Sequence, residues 1–251
     1  MNKLAFITGA TSGIGLATAK ALAENGFDLA LAARNEEKLY AIKNGFEKDY
    51  GVKVTPYPLD VRDRDAVQNT AGRCLSETGT PDVLINDAGL ARGLEPYSSN
   101  DIDDIIQTID TNIKGLFLVT RAFLPAMLKR NTGHIINLGS TAGLYAYAGA
   151  AVYCSTKAAV KTFSDGIRIE VIVIIQSAGS GLQRTFYCIH NPVCRSFIVT
   201  VLAAQQIIIG AGAAGAWRVC AGDSFLITSS RIMQDSGCVT GTDIIGHSCI
   251  R

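Results

Sequence analysis

Lysine and glutamate are missing from the last 81 residues of this 251-residue chain, where five arginines and three aspartates are the acidic and basic side chains. Helices of α/β domains normally set Lys and Glu on their wet faces, so the composition there is odd for a soluble α/β domain. The chain also lacks an excess of charge: its formal net charge is +1 and its pI about 7.6. That excludes the concentrated basic surface that nucleic acid requires, and a small molecule is the expected partner. No Cys-x-x-Cys pair occurs, and none of the seven cysteines groups with His134, His190 or His247 at zinc-like spacing. An odd cysteine count excludes a closed disulfide framework, so free thiols and no metal are expected. Cys74 and Cys154 lie upstream, whereas Cys188, Cys194, Cys220, Cys238 and Cys249 crowd the last third. A signal segment is lacking too: Leu4–Thr8 is too short and is followed by glycines, which reads as cytoplasmic. The uncharged run Ser196–Trp217 has 22 residues, long enough to span a membrane, yet Gln205-Gln206 sits in its middle. Buried strands, or sequence that is not natively folded, are expected there rather than a membrane partner.

What the chain does have is a regular alternation. Strands are expected at about 3–8, 27–33, 52–59, 82–86 and 133–138. Helices are expected at 13–25, from 35, at 63–78, as one long element over 101–130, and at 151–169. This βαβ order predicts an α/β fold: a Rossmann-like, doubly wound parallel sheet with helices on both faces. Beyond Glu170 the order is lost and no helical period is legible, which divides the chain into a domain over 1–170 and an atypical segment over 171–251.

The first strand ends in Thr8-Gly9-Ala10-Thr11-Ser12-Gly13-Ile14-Gly15 and leads into a helix. Gly9, Gly13 and Gly15 let the chain turn tightly and approach a pyrophosphate. The backbone N–H groups around Thr11, Ser12 and Ile14, with the helix dipole, hold its charge. At the end of the second strand no Asp or Glu is present to take a ribose hydroxyl, and Arg34 stands there instead. A guanidinium suits a 2′-phosphate, so NADP is the expected cofactor. Asp60 and Val61 close the third strand, and Asn86, Ala88 and Gly89 follow the fourth. At the carboxyl ends of parallel strands these face the cofactor crevice, Asp60 toward the adenine amino group and Asn86 to Gly89 toward adenosine and ribose.

Tyr153 and Lys157 are four residues apart, on one face of a helix, and follow Ser140 by thirteen residues. Hydride exchange between an alcohol carbon and a nicotinamide needs a base for the hydroxyl proton, or an acid for the carbonyl oxygen in reverse. A free phenol, with a pKa of about 10, is a poor base near neutrality. A lysine ammonium on the next turn and an oxidised nicotinamide both favour the phenolate. Ser140 would donate a hydrogen bond to the developing alkoxide.

In this order the residues resemble the short-chain dehydrogenase/reductase family, on Thr-Gly-x-x-x-Gly-x-Gly over 8–15, Asn-x-Ala-Gly over 86–89, Asn112, Ser140 and Tyr153-x-x-x-Lys157. The resemblance implies that Asn112 supports a water-linked proton relay, Ser140 holds the substrate oxygen, and Tyr153 and Lys157 serve both catalysis and the cofactor, the lysine through the nicotinamide ribose. Asp87 departs from the family, which often has Asn or Ala there. The stretches Asn86–Pro96, Asp110–Gly115 and Gly133–Gly143 are similar to the branch of NADP-dependent 3-hydroxy acid dehydrogenases that oxidise serine and allo-threonine. A general carbonyl or 3-oxoacyl reductase, and a cofactor-binding protein with crippled catalysis, are the alternatives. Apolar residues on the helices at 101–130 and 151–169 exceed what one sheet face can cover. In the family the matching helices pair, so a homo-oligomer, a tetramer, is expected. The resemblance stops near residue 170, and the tail has no Pro-Gly turn. Translation in a shifted frame would explain the missing Lys and Glu, the surplus Cys and the lost period together; a divergent native segment is the alternative.

Overall fold

The computed structural model describes residues 2–178 and, beyond them, four strands at 185–191, 196–199, 210–211 and 217–218. Side chains are described as far as Val171. Five short apolar strands form the centre: β1 (Leu4–Thr8), β2 (Asp28–Ala33), β3 (Val54–Pro58), β4 (Val83–Asn86) and β5 (His134–Leu138). The helices between them are α1 (Gly13–Glu24), α2 (Glu36–Tyr50), α3 (Arg64–Glu77), α4 (Ile102–Ile109) and α5 (Leu116–Arg130), and α6 (Ala151–Ala178) follows β5. With β6 (Thr185–Asn191) and β7 (Ser196–Val199) the sheet order is β3-β2-β1-β4-β5-β6-β7. All ladders are parallel as far as β6, and β7 runs antiparallel to it. The two short strands β8 (Gly210–Ala211) and β9 (Trp217–Arg218) pair by themselves. The chain order reverses between β1 and β4, so the crevice for a ligand opens at the carboxyl ends of those two strands.

Alternation along β1 explains the two cores. Ala5 and Ile7 face α1 and α2 with Leu22, Leu29, Leu31 and Leu39, whereas Leu4 and Phe6 face α3 and α5 with Tyr57, Phe123 and Met127. Phe6 lies at the middle of the second core, its ring centroid 4.5 Å from that of Phe123. Buried on both faces, the strands read as continuous apolar runs, as parallel strands must. Helix starts follow local chemistry. Asn35 accepts from Lys38 N–H, Asp63 from Asp65 and Ala66 N–H, and Asp101 from Asp103 N–H, each closing the first turn of its helix.

Two elements differ from the sequence expectation. The helix expected over 101–130 is interrupted between α4 and α5 by a π-helical segment, Asp110–Gly115. A wide turn of this kind carries no residue signature of its own and so is not legible in the apolar pattern, yet such turns are frequent at functional sites. The helix expected to end at 169 runs on through Val171 to Ala178, despite the β-branched run Val171-Ile-Val-Ile-Ile, and β6 then lies parallel beside β5. Weak helix propensity is overridden there by continuation of an established helix whose Val171 is buried. Of the uncharged run Ser196–Trp217, only the positions in β7, β8 and β9 are among the described residues; the rest lies outside them, as do Cys194, Cys220, Cys238 and Cys249. Cys74 and Cys154 are free and buried. Among the described residues no helix is long and apolar enough to cross a membrane, and no group of three His, Cys, Asp or Glu could hold a metal ion.

Candidate active site

The crevice is built from Thr8 outward. Its hydroxyl donates to the Ile85 carbonyl at 3.4 Å and accepts the Asp87 and Ala88 N–H groups at 3.1 and 3.0 Å, which ties the ends of β1 and β4 together. The loop after β1 then folds back over β4. Gly9 has φ +70°, and a Cβ on it would lie 3.0 Å from Ala88 N. A Cβ on Gly15 would lie 2.4 Å from Gly9 O and 2.6 Å from Asp87 Oδ2. These glycines let loop, helix and strand end meet.

Ser12 is the N-cap of α1, with extended backbone and no side-chain cap hydrogen bond, and the first turn contains no acid. Nothing lies within 4 Å of the position a Gly13 Cβ would take. A helix start with open space and N–H groups directed into it fits the diphosphate of a dinucleotide, the Thr11–Ile14 backbone being the part that would hold it.

Asn112 lies in the π segment. Its Oδ1 accepts Leu90 N–H at 2.8 Å, and its Nδ2 donates to Leu90 O at 2.8 Å and to Thr156 Oγ1 at 3.1 Å. Thr156 in turn donates to Tyr153 O at 2.8 Å. The side chain thereby clamps the segment after Gly89 to the turn of α6 that presents the tyrosine.

Ser140, Tyr153 and Lys157 converge at the end of β5. Ser140 is fully buried, caps a single turn by accepting Ala142 N–H at 3.1 Å, and is hydrogen-bonded to the Tyr153 hydroxyl. Lys157 Nζ donates to Leu138 O at 2.8 Å and stands 5.9 Å from the Tyr153 ring centroid. Burial pushes the phenol above its ordinary value, and the Ser140 hydrogen bond pulls it partly back. Tyr147 and Cys154 add to the rise, Lys157 has no part in the shift, and the protein's own groups keep the proton on Tyr153.

At the adenosine end, Arg34 is exposed after β2. Asp60 is gripped by Arg62, whose Nε lies 3.0 Å from both carboxylate oxygens and whose Nη2 is 2.6 Å from Oδ2. This fork, with Arg34 adding to it, holds the Asp60 carboxyl below its usual range. Val61 packs on the π segment, its Cγ2 2.6 Å from where a Gly115 Cβ would be. Asn86 closes β4 at the crevice. Its amide donates to Thr120 and Asn137 at 2.9 Å each, inside the core, so its side chain braces β4 against α5 and β5. Asn137 passes that bracing on to Ser164 of α6 at 2.9 Å.

Sequence reasoning missed several participants. Thr156 and Ser164 recur along α6 with Tyr153 and Lys157, a helical spacing that could have marked them. Arg62 follows Asp60 by two residues and was legible as a partner. Asp87 was visible only as a departure. Its carboxylate accepts the Gly15 N–H and faces Lys157, and burial pushes it up to about 7 despite both.

A profile of the short chain dehydrogenase family matches residues 3–176. An NADP-dependent 3-hydroxy acid dehydrogenase of Salmonella typhi is 44% identical over 168 residues, 67% of this chain and 66% of that protein. One of Schizosaccharomyces pombe is 39% identical over 191 residues, 74% of either chain. The chain therefore spans just under two thirds of the length of the first of these relatives. Among solved structures, serine dehydrogenase from Escherichia coli superposes with a TM-score of 0.62 at 40% identity, covering 66% of this chain and 76% of that one. The closed form of serine dehydrogenase complexed with NADP+ gives 0.62 at 39% identity, covering 67% and 66%.

Proposed function

Because the chain belongs to the short-chain dehydrogenase family, we propose that it is an NADP-linked oxidoreductase exchanging a hydride with a small 3-hydroxy acid, serine- or allo-threonine-like, or with the corresponding carbonyl. The observation that carries this reading is the convergence of Ser140, Tyr153 and Lys157 beside an open α1 N-terminus. The nicotinamide, when bound, supplies or accepts the hydride. The protein's residues handle the proton and the charge. Tyr153, held protonated by burial, donates to the carbonyl oxygen in reduction and takes the hydroxyl proton in oxidation. Ser140 holds that oxygen. Lys157 favours the phenolate as it forms and is the residue for the ribose. Asn112 keeps the relay side of the pocket in register.

The names of the relatives support a hydroxy acid, and a substrate panel tests it. With NADP, 3-hydroxy acids should be oxidised and their methyl esters should not. Equal turnover of esters would make the chain a general carbonyl or 3-oxoacyl reductase, and cofactor binding without any turnover would make it a binding protein with crippled catalysis. Arg34, exposed at the end of β2, supports NADP over NAD. Arg34→Ala should narrow that preference about tenfold, the loss of one charge-assisted contact at an exposed site. Equal affinities for NAD and NADP in the unaltered chain would overturn the assignment.

The division into a catalytic domain over 1–170 and an atypical segment over 171–251, either translated in a shifted frame or native and divergent, belongs to the same proposal. It is supported by a family match that ends at residue 176. The nucleotide sequence around codons 165–185 decides it. A homo-oligomer, a tetramer, is supported by the exposed Ile102, Ile106 and Ile109 on α4, Phe117 on α5 and Ile169 on α6. Sedimentation at micromolar concentration should show it, and monomer alone would refute it.

A further inference from the structure

The cofactor crevice contains an acid that the reaction does not use. Asp87 follows β4, with its main chain held by the Thr8 hydroxyl at 3.1 Å and its carboxylate turned to the first turn of α1. There it accepts the Gly15 N–H, and its Oδ2 is 2.6 Å from where a Gly15 Cβ would be. Ser12, the residue placed to cap that helix, makes no side-chain cap bond. An acid from another strand therefore supplies the negative charge that helix N-termini attract. The same helix start is the element that fits the diphosphate. From α6 the charged group facing Asp87 is Lys157, from α1 it meets the Gly15 backbone, and from β1 the Thr8 hydroxyl. Lys157 is also bonded to Leu138 O, so its charge is shared between the aspartate and the catalytic end.

We propose that Asp87 makes dinucleotide binding proton-linked: its ionised carboxylate, on the Gly15 N–H beside the open α1 N-terminus, repels the cofactor's diphosphate, so the cofactor binds with uptake of one proton by Asp87. The inference rests on the cofactor reading above. Two anions directed at one helix start repel each other, and burial weakens solvent screening between them. Protonation removes one charge while the carbonyl oxygen still accepts the Gly15 N–H, and it releases Lys157 from Asp87 for its ribose and phenol partners. Asp87→Asn keeps the size and the acceptor and removes only the titration. The carboxyl is poised near neutrality, about 7, so the linkage operates around that pH.

The test is NADPH titration of the parent and of Asp87→Asn by cofactor fluorescence from pH 6.5 to 8.5, with calorimetry at pH 7.5 in two buffers of different ionisation enthalpy. The Kd of the parent should rise at least about tenfold across those two pH units, within the limit of about tenfold per unit that one linked proton sets, and calorimetry should show net proton uptake. The variant should bind more tightly than the parent at pH 8.5, change less than about threefold and take up no proton. The 2′-phosphate and Tyr153 are common to both proteins, so the difference isolates Asp87. Parallel profiles without proton uptake would overturn the proposal and leave the cofactor reading standing, whereas no binding by either protein would overturn both.

Ligand-free thermal unfolding gives an independent reading. The folded pKa is raised, from 3.8 to about 7, so the folded state retains a proton that the unfolded state loses. Stability from this group falls as pH rises between those values and stays low above them. Asp87→Asn should therefore gain at least about 3 °C in Tm over the parent at pH 8 and markedly less at pH 5. A pH-independent difference would mean that Asp87 does not titrate in the fold, and would sink the linkage.

Discussion

Tyr153→Phe should lower turnover by at least about a hundredfold while leaving the Kd for NADPH within about threefold of the parent, because the ring remains and only the proton-carrying hydroxyl is lost. The hydroxyl is hydrogen-bonded to Ser140, and the ring is held by α6 beside Lys157. Removing it leaves Ser140 and Lys157 in place, so the loss reports proton transfer rather than collapse of the pocket. Lys157→Met should differ in kind: it fills nearly the same volume but cannot donate to Leu138 O, and turnover and cofactor affinity should fall together. Kinetics of the two variants on a hydroxy acid that the parent oxidises separate the roles. A Tyr153→Phe protein retaining most of the parent's rate would remove the tyrosine from the mechanism.

Gly15→Ala should be the most damaging alanine substitution among the described glycines. The added Cβ would stand 2.4 Å from Gly9 O and 2.6 Å from Asp87 Oδ2, distances no relaxed structure tolerates. Because Gly9 O is backbone, the loop over β4 must move, and with it the N–H groups that would hold the diphosphate. Loss of two such charge-assisted hydrogen bonds corresponds to about a hundredfold or more in NADPH affinity. Overpacking of about 1–3 kcal/mol should also lower Tm by several degrees. Gly45→Ala provides the contrast. Gly45 lies in α2 with nothing within 4 Å of a new Cβ, and alanine there should stabilise the fold by about 0.5–1 kcal/mol without altering binding. Cofactor titration and thermal melts of both variants make the comparison, and a Gly15→Ala protein that binds NADPH within about threefold of the parent would disprove the close approach.

Proton linkage at Asp87 adds a constraint on both experiments. Affinities compared at different pH would mix the variant's effect with the titration of Asp87, so the tyrosine and glycine variants are best compared with the parent at one pH below about 7, where the carboxyl is largely protonated.

The amino-acid sequence by itself determined what depends on near neighbours. Strand and helix alternation as far as α6 was legible because apolar period and capping residues such as Asn35, Asp63 and Asp101 act over a few positions. The Gly9–Gly15 loop and the Tyr153, Lys157 pair were legible for the same reason, since a turn and an i, i+4 helix face are local geometry. Tertiary structure alone decided the rest. The π segment at Asp110–Gly115 left no mark on the apolar pattern, yet it aims Asn112 at Leu90 and Thr156. The side-chain amide of Asn86, at the end of β4, is fixed by Thr120 and Asn137, which come from other elements. Asp87 shows the reason most directly. Its charge state is set by burial, by Gly15 from the first helix and by Lys157 from the last, and a field assembled from segments far apart in the chain has no signature in the residues beside it.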